Sequence, residues 1–140
     1  MERRDFIRTS CALCAVVGAG LALGSLSSCA PVPVYSTSVS RKKIVVPLSL
    51  FAEEAVQIIR AKELDFDIAV RKEDDGKYTA LLLRCTHASN SLAYTDGGFI
   101  CSLHGSMFDK DGSVTRGPAA TPLKQLAVQV SEKEITIRVE

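Results

Sequence analysis

At 140 residues the chain has room for one domain, and its 46% hydrophobic and 24% charged residues are ordinary for a globular protein. A formal net charge of +1, 6% aromatic residues and the absence of Trp exclude the basic, base-stacking surface of a nucleic-acid binder. The basic run Arg41-Lys42-Lys43 is short enough to be an ordinary solvated segment.

Glu2-Arg3-Arg4-Asp5-Phe6-Ile7-Arg8 resembles the twin-arginine export motif, with Glu2 in place of the usual small hydroxyl residue. Cys11 to Leu26 is an apolar run rich in Gly and Ala. It falls short of the about 20 residues of a membrane span and reads as the core of a signal peptide. A retained N-terminal helix anchor is the alternative. Leu26-Ser27-Ser28-Cys29 resembles a bacterial lipobox, so residues 1–28 read as signal peptide and Cys29 as the lipidated first residue of the mature chain. The expected location is outside the cytoplasm, lipid-anchored to the periplasmic or extracytoplasmic face of a bacterial membrane. Residues 29–43 then read as a flexible tether, because Ala30 to Ser40 is rich in Pro and Ser and shows no period. About a dozen such residues span up to ~40 Å.

From Arg41 onward the pattern is β. Lys43 to Val46 is a short strand stopped by Pro47, and Ser49 to Ala55 is either a helical turn or a sheet edge. Val56 to Arg60 is rich in β-branched residues, and Asp65 to Arg71 alternates with Phe66, Ile68 and Val70 on one face. Asp74-Asp75-Gly76 is a hairpin turn, and Tyr78 to Arg84 returns as the strand that delivers Cys85. Leu92 to Tyr94 and Phe99 to Cys101 flank a second hairpin turn at Thr95-Asp96-Gly97-Gly98. Asp109-Lys110-Asp111-Gly112 is a turn, too short for a calcium-binding EF-hand loop and without its closing Glu. Gln125 to Val130 and Glu134 to Val139 form a last hairpin across Ser131-Glu132-Lys133. With no long helical period and no repeat, the fold class is all-β.

Two boxes carry the chemistry: Cys85-Thr86-His87, and Cys101-Ser102-Leu103-His104-Gly105-Ser106. Both His of the chain and two of its five Cys lie in them. Thiolate and imidazole donors suit zinc or iron–sulfur chemistry, not hard cations. Zinc sites commonly pair ligands of like type. Here each box mixes one Cys with one His, which favours a 2Fe–2S cluster with two Cys on one iron and two His on the other. A structural zinc module is the alternative. The cysteine arithmetic is consistent with export: Cys11 and Cys14 leave with the signal, Cys29 takes lipid, and Cys85 and Cys101 take metal.

The two boxes resemble those of the Rieske iron–sulfur family, and the resemblance extends over residues 44–140. It implies a Rieske-type antiparallel β-sandwich with the cluster-binding loops at one tip, on an insert of about residues 84 to 118. It also implies a 2Fe–2S cofactor held by Cys85, His87, Cys101 and His104. Gly117-Pro118-Ala119 is similar to the proline loop that covers the cluster in cytochrome bc relatives. Ser106 matches the Ser whose hydroxyl bonds a bridging sulfide in high-potential members, and Phe108 stands where those proteins carry Tyr. They also carry an extra Cys in each box, joined as a disulfide; Asn90 and Leu103 occupy those positions here.

The implied function is one-electron transfer at the outer face of a bacterial membrane, alone or as the small subunit of an oxidoreductase, with redox-protein donor and acceptor and no autonomous catalytic site. A ferredoxin-like component of an oxygenase system is the alternative. An oxygenase itself also needs a mononuclear iron on two His and a carboxylate, and no third His exists in the chain. Twin-arginine export carries folded proteins, so it suits a cluster inserted before export.

Overall fold

The computed structural model describes residues 32–140. The signal-peptide, lipobox and Cys29 readings lie outside the described residues.

The strands are β1 (Val34–Thr37), β2 (Lys43–Pro47), β3 (Val56–Ala61), β4 (Ile68–Lys72), β5 (Tyr78–Leu82), β6 (Ala93–Thr95), β7 (Gly98–Ile100), β8 (Met107–Asp109), β9 (Val114–Arg116), β10 (Gln125–Leu126), β11 (Val128–Val130) and β12 (Glu134–Arg138). A 3-10 turn, Leu48–Phe51, resolves the ambiguous stretch after Pro47 and buries Phe51. The strands form a five-stranded sheet ordered β1-β3-β4-β5-β10, a three-stranded sheet β11-β12-β2 and a four-stranded sheet β6-β7-β8-β9.

The five-stranded sheet is the middle layer, and its sequence shows why. Ile58 and Ile59 are buried in succession, as are Ile68, Ala69 and Val70, and then Ala80 and Leu81. Successive strand residues point to opposite faces, so such runs need apolar partners on both sides. On one side Ile59, Ile68, Val70 and Ala80 meet Ile44, Val46, Ile135 and Ile137 of the three-stranded sheet. Those last four are 0% exposed, and each such burial contributes about 1.5–3 kcal/mol. On the other side Ile58, Ala69 and Leu81 join a second core with Leu83, Cys85, Phe99, Cys101 and Phe108. Cys85 and Cys101 are thus packed on the back of the same sheet that closes the main sandwich.

Three expectations need correction. The tether is shorter than residues 29–43, because β1 pairs in parallel with β3, Val34 opposite Ile58 and Thr37 opposite Ala61. Tyr35 and Val39 pack against the main core, and Ile58 donates its amide to the Pro33 carbonyl at 3.1 Å. The alternation is present in Tyr35 and Thr37 but is carried partly by a hydroxyl residue, which hydropathy overlooks. This pair is also a parallel exception in an otherwise antiparallel fold. Second, the strand expected from Asp65 begins at Ile68. Phe66 precedes it and lies under the Arg84 guanidinium, 5.7 Å from the ring centre. Third, Gln125 to Val130 is two strands. β10 pairs with β5 and β11 with β12, so the chain changes sheet at Ala127, whose carbonyl accepts the Arg138 amide at 2.9 Å.

Candidate metal centre

β5 leads toward the first box and β7 runs into the second, so an interior strand of a sheet precedes each Cys. The two loops that follow are built alike. In the first, the Cys85 amide donates to the Asn90 carbonyl at 2.8 Å, and the Ser89 amide donates to the Cys85 carbonyl at 2.9 Å. In the second, the Cys101 amide donates to the Ser106 carbonyl at 2.8 Å, and the Gly105 amide to the Cys101 carbonyl at 2.9 Å. The fifth residue of each loop has a left-handed backbone, Ser89 with φ 50° and Gly105 with φ 77°. This match is not visible in the ligand spacing, since the first box reads C-x-H and the second C-x-x-H.

Each loop hides its sulfur and shows its imidazole. Cys85 and Cys101 are buried and not disulfide-bonded, whereas His87 and His104 are exposed. The two imidazoles are edge to face, their centres 5.0 Å apart. Burial pushes the Cys101 thiol up, but hydrogen bonds from the Leu103 and His104 amides, and from the Cys85 and Asn90 side chains, outweigh it and hold Cys101 below the usual thiol value. Donors gathered on a buried sulfur favour its thiolate, the form that binds metal. Among the described residues no three of His, Cys, Asp and Glu converge on one point as a mononuclear site requires. Each iron of a binuclear cluster asks the protein for only two ligands, which suits two buried sulfurs and two exposed nitrogens.

The supporting residues fall around these four. Ser106 is 0% exposed, and its hydroxyl oxygen accepts the Ala119 amide at 3.0 Å. That bond draws the Gly117-Pro118-Ala119 segment onto the second loop and leaves the hydroxyl hydrogen free to donate elsewhere. Thr86 donates its hydroxyl to the Thr121 carbonyl at 2.7 Å, fastening the first loop to the same segment. Phe108 is buried in the cluster-side core, opposite Phe99 across β7 and β8. Leu103 is 55% exposed beside His104. Asn90, noted in the sequence only for the cysteine it lacks, reaches Cys101: its side-chain amide lies 3.8 Å from Sγ. Its neighbour Ser89 takes two bonds from Arg84, at 3.1 and 2.7 Å.

Comparison with protein families matches residues 43–127 to the Rieske 2Fe-2S domain. The chain belongs to the Rieske 2Fe-2S family. Its cofactor is accordingly a 2Fe–2S cluster, and the donor set just described fits that group; the zinc alternative is set aside. Among curated Rieske proteins, the cytochrome b6-f complex iron-sulfur subunit 2 of Nostoc sp. is 38% identical over 72 residues, covering 50% of this chain and 40% of that subunit. Subunit 1 of the corresponding Synechocystis complex is 44% identical over 55 residues, covering 38% of this chain and 31% of that subunit. The chain therefore matches less than half the length of either relative. The cyanobacterial plasma membrane Rieske protein PetC3 from Synechocystis has the same fold, with a TM-score of 0.57 and 24% identity over 69% of this chain and 99% of that one.

Proposed function

We propose that this Rieske protein is a one-electron carrier held at the outer face of a bacterial membrane, passing electrons between redox proteins. Cys85 and Cys101 hold one iron and His87 and His104 the other. The observation that carries the reading is the asymmetry of the site: two buried sulfurs and two exposed imidazoles, on two matched loops. When bound, the 2Fe–2S cluster supplies a one-electron couple. The buried side of the site, with Phe99 and Phe108, keeps water from the sulfurs. The exposed His87 and His104, with the apolar Leu103 between the second ligands, offer the short path to a partner and the surface for brief docking. The relatives named as cytochrome b6-f subunits make an oxidoreductase complex a suitable partner.

The carrier reading is tested by ligand replacement. Cys85→Ser and Cys101→Ser are expected to lose the cluster, and His87 or His104 replacements to lose it or change its spectrum. The reduced protein is expected to give a Rieske-type paramagnetic resonance signal, distinct from that of an all-cysteine cluster. A Cys101→Ser protein with unchanged iron content and spectrum overturns the ligand set. For location, Arg3→Lys with Arg4→Lys is expected to leave precursor in the cytoplasm, and Cys29→Ala to abolish incorporation of labelled fatty acid. An exported protein that retains Met1 overturns lipidation at Cys29 in favour of a retained anchor.

A further inference from the structure

We propose that Asn90 is a positioning residue of the cluster: its side-chain amide donates to the ligand sulfur of Cys101, strapping the first loop to the second and favouring the reduced state. The proposal rests on the reading that Cys101 is a cluster ligand.

Three observations carry it. The first is the contact itself, with Asn90 Nδ2 3.8 Å from Cys101 Sγ, a distance suited to a donor on the large sulfur atom. The orientation of the amide is fixed independently, because the same Nδ2 lies 3.1 Å from the Ser91 carbonyl oxygen. A carbonyl only accepts, so the NH2 end must face it. An NH2 group carries two hydrogens, one for Ser91 and one for sulfur.

The second observation is that Asn90 touches both boxes. Its backbone carbonyl accepts the Cys85 amide at 2.8 Å, while its side chain reaches Cys101 from a half-buried position. Movement of the first loop therefore pulls on the second. The third is the equivalence of the loops. Asn90 closes the first loop as Ser106 closes the second, each through its carbonyl to the Cys that begins the loop. The two closing residues are both polar and both turned inward at the site.

The electrostatic consequence has one sign. Adding an electron increases the negative charge on the cluster sulfurs, and a donor hydrogen bond to a more negative acceptor is stronger. The Asn90 bond therefore stabilises the reduced state more than the oxidised one and raises the potential. A residue that merely filled space would leave the potential alone.

The test exploits composition, for Asn90 is the only asparagine in the chain. Protein carrying 15N in asparagine alone reports on this one side chain. Pulsed paramagnetic resonance of the reduced, cluster-loaded protein is expected to show a weak 15N coupling beside the stronger couplings of the two imidazoles. Absence of the asparagine coupling while the imidazole couplings are present overturns the proposal. Absence of the imidazole couplings instead strikes at the ligand set, so the two failures are distinguishable. Asn90→Leu keeps the branched shape and removes the donor, and is expected to lower the midpoint potential measured by protein-film voltammetry. Asn90→Asp presents an acceptor and a charge, and is expected to lower it further. An unchanged potential in Asn90→Leu with an intact spectrum overturns the tuning role. The labelled native protein decides the contact even where a variant fails to retain its cluster.

Discussion

Ser89 and Gly105 occupy the same corner of two matched loops, and both have left-handed backbones, φ 50° and 77°. Only one of them is the residue that conformation favours. Left-handed backbone costs a side-chain-bearing residue about 1–2 kcal/mol, and Ser89 accepts it while its hydroxyl takes the two Arg84 bonds. A Cβ at Gly105 meets nothing within 4 Å, so its substitution reads the backbone cost alone. Gly105→Ala is expected to lower the thermal midpoint by several degrees, since about 1 kcal/mol corresponds to roughly 4–8 °C in a domain of this size. Ser89→Gly is expected to be neutral or to raise it slightly, relief of the backbone being offset by loss of exposed hydrogen bonds. A Gly105→Ala midpoint equal to the native one refutes the account of this corner.

The glycine pair at the β6–β7 turn divides in the opposite way. A Cβ at Gly98 falls 2.1 Å from the Phe108 carbonyl oxygen, on a backbone with φ 142°, whereas one at Gly97 meets nothing within 4 Å. Gly98→Ala must separate β7 from β8 beneath the second loop and is expected to cost several kcal/mol, in the class of severe backbone strain. Gly97→Ala is expected to stay within about 1 kcal/mol. Circular dichroism melts and iron content of the two variants provide the comparison. Equal stabilities mean that β7 and β8 approach less closely than described.

Ser106 and Phe108 are expected to bear on the potential as well. A hydroxyl donor to a cluster sulfide stabilises the reduced state, and a net gain of about 0.5–1.5 kcal/mol corresponds to roughly 20–65 mV for one electron. Ser106→Ala is expected to lower the midpoint by an amount of that order. It also leaves the Ala119 amide without the partner it has at 3.0 Å, so thermal stability should fall with it. Phe108→Tyr supplies a donor the chain lacks and is expected to raise the potential. The native value should then lie above the low-potential ferredoxins and below the top of the Rieske range, around 0 to +200 mV. Voltammetry in which neither variant shifts by more than ~10 mV removes the hydroxyls at positions 106 and 108 from the explanation.

Thiol reductants should do nothing. With Asn90 and Leu103 where relatives place cysteines, and with Cys85 and Cys101 free of disulfide, dithiothreitol has no loop bond to reduce. The rate of cluster bleaching is expected to be the same with and without it. Faster bleaching in mild thiol contradicts this.

What the sequence made legible is what neighbouring residues decide. The hairpin at Asp74-Asp75-Gly76 and the turn at Gly97-Gly98 are local signals, and they sit where expected; the two Cys-His boxes are equally local in the sequence. Features that depend on distant partners stayed hidden. β1 owes its existence to β3, some twenty residues on, and half of its inward face is Thr37. The sheet change at Ala127 leaves no mark, because one alternating run serves two sheets as well as one. The double-sided burial of Ile68, Ala69 and Val70 showed only as a half-face, since Ala69 is too small to signal a core. Asn90 looked like a missing cysteine, because spacing says nothing about where an amide points.

β1 also bears on the lipid anchor proposed at Cys29. Its pairing with β3, and the bond from Ile58 to the Pro33 carbonyl, leave Ala30, Pro31 and Val32 between Cys29 and the first fixed carbonyl. Val32 itself packs against the cluster-side core. Four peptide steps extend to at most about 14 Å, against the ~40 Å of a tether running through Arg41. With the proposed lipid on Cys29, the volume such a domain sweeps shrinks roughly twentyfold, and its local concentration near the bilayer rises in proportion. A leash this short suits exchange with partners embedded beside it, which approach by lateral diffusion. It does not suit a carrier that swings between distant docking stations.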